Sequence, residues 1–166
     1  NNKPFFIPDF SEEIQYETEI VLLISRLGKY ISEKYAHRYF YKIGVGIDFT
    51  ARDLQREKMN KGMPWSIAKS FDSSAPISPF VDKSKYEDVY NLSFGLYKNE
   101  KKVQEGNTSD MVFSFDRIIS HVSKFMTLKI GDIIFTGTPQ GVGKVEINDR
   151  LRAFIGDEVL LDFYVK

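Results

Sequence analysis

The stretch Ile14-Gln15-Tyr16-Glu17-Thr18-Glu19-Ile20-Val21-Leu22-Leu23-Ile24-Ser25-Arg26-Leu27 decides the fold. Side chains alternate across a strand, so Ile14, Tyr16, Thr18, Ile20 and Leu22 share one face, and Gln15, Glu17, Glu19, Val21 and Leu23 share the other. Over residues 20–24 both faces are apolar, the pattern of a strand covered on two sides. Residues 14–27 are therefore predicted as one strand whose second half enters the core. Glu17 and Glu19 sit at the core's edge and point the same way.

Outward from that strand, residues 43–49 form a second one, with glycines at 44 and 46. A polar helix should follow, capped by Thr50, with Asp53 in its first turn and Gly62 and Pro64 ending it. Residues 91–97 and 102–105 read as a hairpin across 98–101. Residues 116–126 show helical spacing, with Ile118, Ile119, Val122 and Phe125 as an apolar stripe. Short strands are expected at 132–135, 150–155 and 159–165, the last two joined by a Gly156-Asp157 turn. Strands outnumber helices, so the chain is predicted to be α+β and mainly β.

The chain has 166 residues, 42% of them hydrophobic, which suits one folded domain with a sizeable core. Its 23 basic and 23 acidic residues cancel. That argues against a nucleic-acid binder, whose affinity comes largely from neutralising phosphates, and against a polybasic membrane anchor. No segment approaches the length of an apolar membrane span. Without cysteine there is no disulfide framework, thiolate metal site or cysteine nucleophile, which fits a reducing, cytoplasmic setting. His37 and His121 lie in no serine–histidine–acid spacing, so a hydrolase triad has little support.

Four constellations could carry chemistry. Glu17 and Glu19, at alternate strand positions, have Cβ atoms roughly 6–7 Å apart and repel each other. A divalent cation removes that penalty, and oxygen-only ligands suit Mg²⁺, Mn²⁺ or Ca²⁺. The bland alternative is a solvated strand face. Asp48, at a strand's carboxyl end, is placed to be a third ligand. Arg52 and Gln55 share a helix face and could hold a substrate carboxylate or oxo group. Against that, Asp48 and Asp53 could simply serve the helix N-terminus, with Arg52 in a surface ion pair. Lys69 stands among Trp65, Ile67, Ala68 and Phe71, surroundings that could make it a base or an electrostatic stabiliser. Finally, the run from Gly131 to Gly143 leads a strand into a glycine- and threonine-rich loop that offers backbone N–H groups and the Thr138 hydroxyl to an anion. It lacks the P-loop pattern.

Taken together, Tyr16-Glu17-Thr18-Glu19, Thr50-Ala51-Arg52-Asp53-Leu54-Gln55, Lys61-Gly62-Met63-Pro64-Trp65-Ser66-Ile67-Ala68-Lys69-Ser70-Phe71-Asp72 and Gly131-Asp132-Ile133-Ile134-Phe135-Thr136-Gly137-Thr138-Pro139-Gln140-Gly141-Val142-Gly143 resemble the fumarylacetoacetate hydrolase family. The short, single-domain branch fits best, which includes acylpyruvases, oxaloacetate decarboxylases and 2-hydroxyhepta-2,4-diene-1,7-dioate isomerases. The resemblance implies curved, mixed β-sheets forming a β-roll with few helices, in a homodimer. It implies Mg²⁺ or Mn²⁺ on Glu17, Glu19 and Asp48, and a pocket lined by Arg52, Gln55, Lys69 and Thr138, with Lys69 catalytic. The implied substrate is a small 2-oxo acid reacting through a metal-stabilised enolate. C–C bond hydrolysis is the foremost reaction, with oxaloacetate decarboxylation and diene-dioate isomerisation as alternatives. A non-enzymatic metal- or ligand-binding module on the same scaffold is the rival from another class. The branch also carries an upstream lid helix with a water-activating histidine and glutamate. Neither His37 nor His121 stands at the matching place, so that pair is expected outside these 166 residues or not at all.

Overall fold

The computed structural model describes residues 3–166. The stretch that opens the chain's first layer is two strands, β1 (Ile14–Tyr16) and β2 (Thr18–Ile24), separated at Glu17. The expected single strand thus breaks and ends at Ile24. The cause is a long-range contact: the Thr18 N–H donates to the side-chain Oε1 of Gln104 at 3.0 Å, so a side chain takes the place of a ladder partner. After a four-residue helix α1 (Glu33–Ala36), the partner strands are β3 (Phe40–Ile47) and β4 (Thr50–Ala51). They break in step with the first pair. Thr18 faces Ile47 and Glu19 faces Gly46 on one side of the break, while Gln15 faces Thr50 and Ile14 faces Ala51 on the other.

The helix α2 (Arg52–Asn60) follows directly. Thr50 does not cap it: its side chain lies buried in β4, its hydroxyl donating to the Asp48 carbonyl at 3.3 Å. Its polar run buries no residue, and Gly62, at φ +64°, closes its end as expected. The short β5 (Val81–Asp82) precedes the hairpin β6 (Ser93–Lys98) and β7 (Lys101–Asn107). Asn99 and Glu100, both at positive φ, make its two-residue turn, the backbone that matches strand twist. Helix α3 (Phe115–Phe125) is capped by Ser114, whose hydroxyl accepts from Arg117 N at 3.2 Å. Its stripe is narrower than predicted: Ile119 and Phe115 are buried, whereas Phe125 is exposed. The chain ends through β8 (Ile133–Phe135), β9 (Gly143–Lys144), β10 (Arg150–Ile155) and β11 (Glu158–Tyr164).

These strands make three sheets, in the orders β4-β1-β9, β5-β3-β2-β8 and β11-β10-β6-β7. Every pairing of named strands is antiparallel; among the described residues the parallel pairing is the isolated bridge Phe5–Val165. The mainly β reading therefore holds. One core joins the sheets. Phe49, at the break, stacks on Phe5 with ring centroids 3.9 Å apart and meets Phe163 edge-on. Among the described residues no helix is long and apolar enough to cross a membrane.

The loop between β8 and β9 crosses the hairpin strand β7 closely. A Cβ on Gly141, which sits at φ +101°, would lie 2.3 Å from the Val103 carbonyl oxygen. Gly141→Ala is therefore expected to destabilise the protein by about 1–3 kcal/mol, the usual range for forced overpacking, read as a lower urea midpoint.

Candidate active site

The break in the strands is what builds the site. One backbone bond, from Asp48 N–H to the Glu17 carbonyl at 2.8 Å, fixes Glu17 and Asp48 side by side where the two sheets part. Glu19, two residues along β2, projects from the same face. The carboxylates of Glu17, Glu19 and Asp48 offer oxygens that all lie within 4.8 Å of one another. Glu19 is buried, at 5% exposure, and Glu17 and Asp48 are partly buried. The solvated-face alternative is thus excluded by the geometry.

Lys69 follows a single 3-10 turn anchored by buried Ala68. Its Nζ donates to Glu17 Oε2 and to Asp48 Oδ2, both at 2.6 Å. The ammonium is therefore held between two carboxylates, while Trp65 and Ile67 of its sequence neighbourhood are exposed. Arg52, first residue of α2, reaches back to Glu17 Oε1 through Nη2. Its Nε donates to Gln15 Oε1 at 2.8 Å and its Nη1 to Gln55 Oε1 at 2.5 Å. The surface-ion-pair alternative for Arg52 fails, because the guanidinium lies against the acidic cluster. Asp53 does not serve its helix alone: it accepts from Ser11 Oγ at 2.6 Å and Glu12 N at 2.8 Å, tying the preceding segment to α2.

The charges respond to this packing. Burial pushes the Glu17 carboxyl up, but hydrogen bonds from Lys69 and Arg52 outweigh it and hold Glu17 below the usual carboxylate range. Among the described residues no cation hydrogen-bonds Glu19. Burial, together with the charges of Asp48 and Glu17, pushes it up to about 7 against the hydrogen bond from Gly137. Asp48 is also raised, by burial that its bond to Lys69 only partly opposes. Three crowded carboxylates, two of them held above their ordinary range, are an oxygen-only donor set whose repulsion a hard divalent cation relieves. The set therefore fits Mg²⁺, Mn²⁺ or Ca²⁺.

The glycine-rich loop closes the arrangement. Gly137 N–H donates to Glu19 Oε2 at 2.6 Å, so this amide is committed to a carboxylate of the chain itself. Thr138, the next residue, accepts at Oγ1 from Gln104 Nε2 at 2.9 Å. Residues 136–140 also line a cavity of about 440 Å³, opposite Met111, Val112 and Phe113. None of the three acids lines that cavity, so the charged cluster and the concavity are separate features that meet at the Gly137–Thr138 loop.

Of the seven predicted site residues, Glu17, Asp48, Arg52, Gln55 and Lys69 are joined by hydrogen bonds, Glu19 stands beside Glu17 and Asp48 in the carboxylate cluster, and Thr138 follows Gly137, which binds Glu19. Neither Gln15, which steers Arg52, nor Gln104, which ties Thr138 to Thr18, stands out in the sequence. Each is a polar residue inside a strand, and only the partners supplied by folding distinguish it from a solvated one. The histidines lie elsewhere: the His37 carbonyl accepts from Lys83, and His121 is exposed beside Phe125 on α3.

Known proteins match this architecture. The mitochondrial oxaloacetate tautomerase FAHD1 of Bos taurus is 43% identical over 163 residues, covering 98% of this chain and 74% of that protein. The Escherichia coli oxaloacetate tautomerase YcgM is 35% identical over 150 residues, covering 90% and 68%. The crystal structure of fumarylpyruvate hydrolase from Pseudomonas aeruginosa, in complex with Mn²⁺ and pyruvate, superposes with a TM-score of 0.94 at 32% identity, over 99% of this chain and 71% of that one. Residues 1–163 match the profile described as fumarylacetoacetate (FAA) hydrolase C-terminal, and with these relatives that match means that the chain belongs to the fumarylacetoacetate hydrolase family of enzymes.

Proposed function

We propose that this protein is a divalent-metal-dependent enzyme that interconverts the keto and enol forms of a short 2-oxo diacid, with oxaloacetate as the first candidate. The observation that carries the reading is the convergence of Glu17, Glu19, Asp48 and Lys69 beside the Gly137–Thr138 loop. The named activity of the bovine and E. coli relatives supports the choice of substrate.

Glu17, Glu19 and Asp48 are the residues that would hold Mg²⁺ or Mn²⁺. When bound, the cation supplies Lewis-acid polarisation of the 2-oxo group. The other roles belong to the chain. Arg52 offsets the charge of Glu17 and, with Gln55, presents a cationic wall to a carboxylate. Lys69 holds its ammonium protons at Nζ against Glu17 and Asp48, close to where negative charge develops on the substrate's oxo oxygen. Thr138 supplies a hydroxyl to a substrate oxygen. These donors are fixed before substrate arrives, which is why they stabilise developing charge without reorganising.

A specific observation favours a second reading, C–C bond hydrolysis: the close superposition on a fumarylpyruvate hydrolase. One assay distinguishes the two. Enol oxaloacetate is followed by its ultraviolet absorbance with Mg²⁺ present, while pyruvate release from oxaloacetate and from acylpyruvates is followed separately. Loss of enol absorbance beyond the buffer rate, without stoichiometric pyruvate, is expected, and EDTA should return the rate to background. Pyruvate formed from acylpyruvates with no acceleration of tautomerisation would replace the first reading by the second. Oxalate binding that needs Mg²⁺, in a protein inert to every 2-oxo acid, would identify a binding module instead. The homodimer implied by the family is part of the same proposal, and sedimentation velocity at micromolar concentration reads it directly.

A further inference from the structure

Gln104 is 1% exposed, in the middle of β7, and belongs to none of the groups discussed so far as chemistry. Its three hydrogen bonds leave its own strand altogether. Oε1 accepts from Thr18 N at 3.0 Å, at the strand break between Glu17 and Glu19. Nε2 donates to Thr138 Oγ1 and to the Pro139 carbonyl, both at 2.9 Å. One side chain therefore links the strand that carries two carboxylates to the loop that carries the Thr138 hydroxyl.

The direction of these bonds follows from elementary chemistry. Thr18 N–H is only a donor, so the amide end that faces it must be the carbonyl oxygen. The NH₂ end is then forced toward the loop, and its two hydrogens are used by Thr138 Oγ1 and Pro139 O. The Thr138 oxygen is thereby an acceptor toward Gln104, and its own hydrogen must point elsewhere. Among the described residues the acceptor within reach is Pro139 O, at 3.5 Å, a marginal distance, and Gln104 already supplies that carbonyl. The loop packs closely against this strand: a Cβ on Gly106, also on β7, would lie 2.8 Å from the Pro139 ring.

We propose that Gln104 is a positioning residue that makes the Thr138 hydroxyl a dedicated hydrogen-bond donor to a substrate oxygen, in fixed register with Glu17 and Glu19. This rests on the reading that Thr138 meets the substrate. Without Gln104 the hydroxyl would rotate freely and share its hydrogen with Pro139 O. Thr138 and Gln104 would then act as one unit, which yields a signature that a purely structural glutamine lacks.

The test is a double-mutant cycle on the full chain with saturating Mg²⁺ and oxaloacetate. Gln104→Met and Thr138→Val should each lower kcat/KM by about 10–100-fold, the range for partners that orient a reacting group. The double variant should be no more than about 2-fold worse than the poorer single one, because both break the same unit. Thr138→Ser should keep most activity when Gln104 is present and should restore nothing to Gln104→Met. Losses that multiply in the double variant would overturn the proposal. A second measurement needs no Gln104 variant, which matters if Gln104→Met does not fold. In ¹⁵N-labelled wild-type protein with Mg²⁺, the Gln104 side-chain amide signals should shift when oxalate is added and stay unmoved when oxalate is added to Thr138→Val. Signals that ignore oxalate in a wild-type protein that binds it would also overturn the proposal. Wild-type protein that neither turns over oxaloacetate nor binds oxalate sinks the functional reading, and this inference with it; active wild-type protein with multiplied losses sinks only the inference.

Discussion

Glu19→Gln is expected to move activity and stability in opposite directions. Mg²⁺-dependent turnover should fall by on the order of 10²–10³-fold, the scale for removing one preorganised charged contact from a reacting centre. In EDTA at pH 8, the same variant should be more stable than wild type by about 3 kcal/mol, the equivalent of moving a carboxyl from 4.5 to about 7 at 1.36 kcal/mol per pH unit. The sign follows from proton counting. Between those two values the folded protein keeps a proton on Glu19 that the unfolded chain has released, so raising the pH through this window erodes stability. Below about 4.5 the penalty is absent, and above about 7 it is complete. Glutamine carries no charge at any pH and still offers an oxygen to Gly137 N–H. Urea titrations of both proteins across this range check the claim: parallel curves would show that Glu19 is not held protonated by the fold. Cation binding must displace the same proton, so the apparent Mg²⁺ affinity of wild type should rise with pH and level off above about 7.

Lys69→Met is the second change with a large expected effect. Turnover should fall by about 10²–10³-fold, because the proposed function makes the ammonium one of the fixed donors next to the reacting oxygens. Mg²⁺ should bind more tightly than to wild type, since a positive charge 2.6 Å from two of the three carboxylates is removed. Metal-free protein should lose stability, since Glu17 and Asp48 are left facing each other without their shared counter-charge. Calorimetry with Mg²⁺ and steady-state kinetics read the two effects separately. Weaker Mg²⁺ binding would mean that Lys69 orders the carboxylates instead of competing with a cation, and unchanged turnover would make the lysine structural.

Much of this could be read from local pattern. The alternation after Thr18, the helix beginning at Arg52, the β6–β7 hairpin and the final pair of strands all follow from side-chain periodicity and turn residues, which are properties of adjacent positions. The two-residue strands β4, β5 and β9 are too short to have a period. The break at Glu17 escaped for a different reason. It depends on Gln104, 86 residues away, taking the Thr18 N–H, and nothing within residues 14–24 announces that exchange. The site shows the same division. Glu17, Glu19 and Asp48 are legible because like charges on an otherwise apolar strand need an explanation. Gln15 and Gln104 are neutral, and their importance arises only from which groups they touch after folding. Lys69 is legible as unusual, but not its setting: its neighbours in sequence are apolar, while its neighbours in space are acidic.

The bond from Asp48 N–H to the Glu17 carbonyl has a consequence for how this scaffold diversifies. The main-chain spacing of two of the three acids is set by this backbone bond and not by the side chains around them. Under the proposed function, exchange of the outer walls could alter which acid is accepted and what becomes of it without moving that backbone pair. Such a division between an invariant grip and a replaceable rim would let closely related enzymes part ways in outcome without ever rebuilding their foundation.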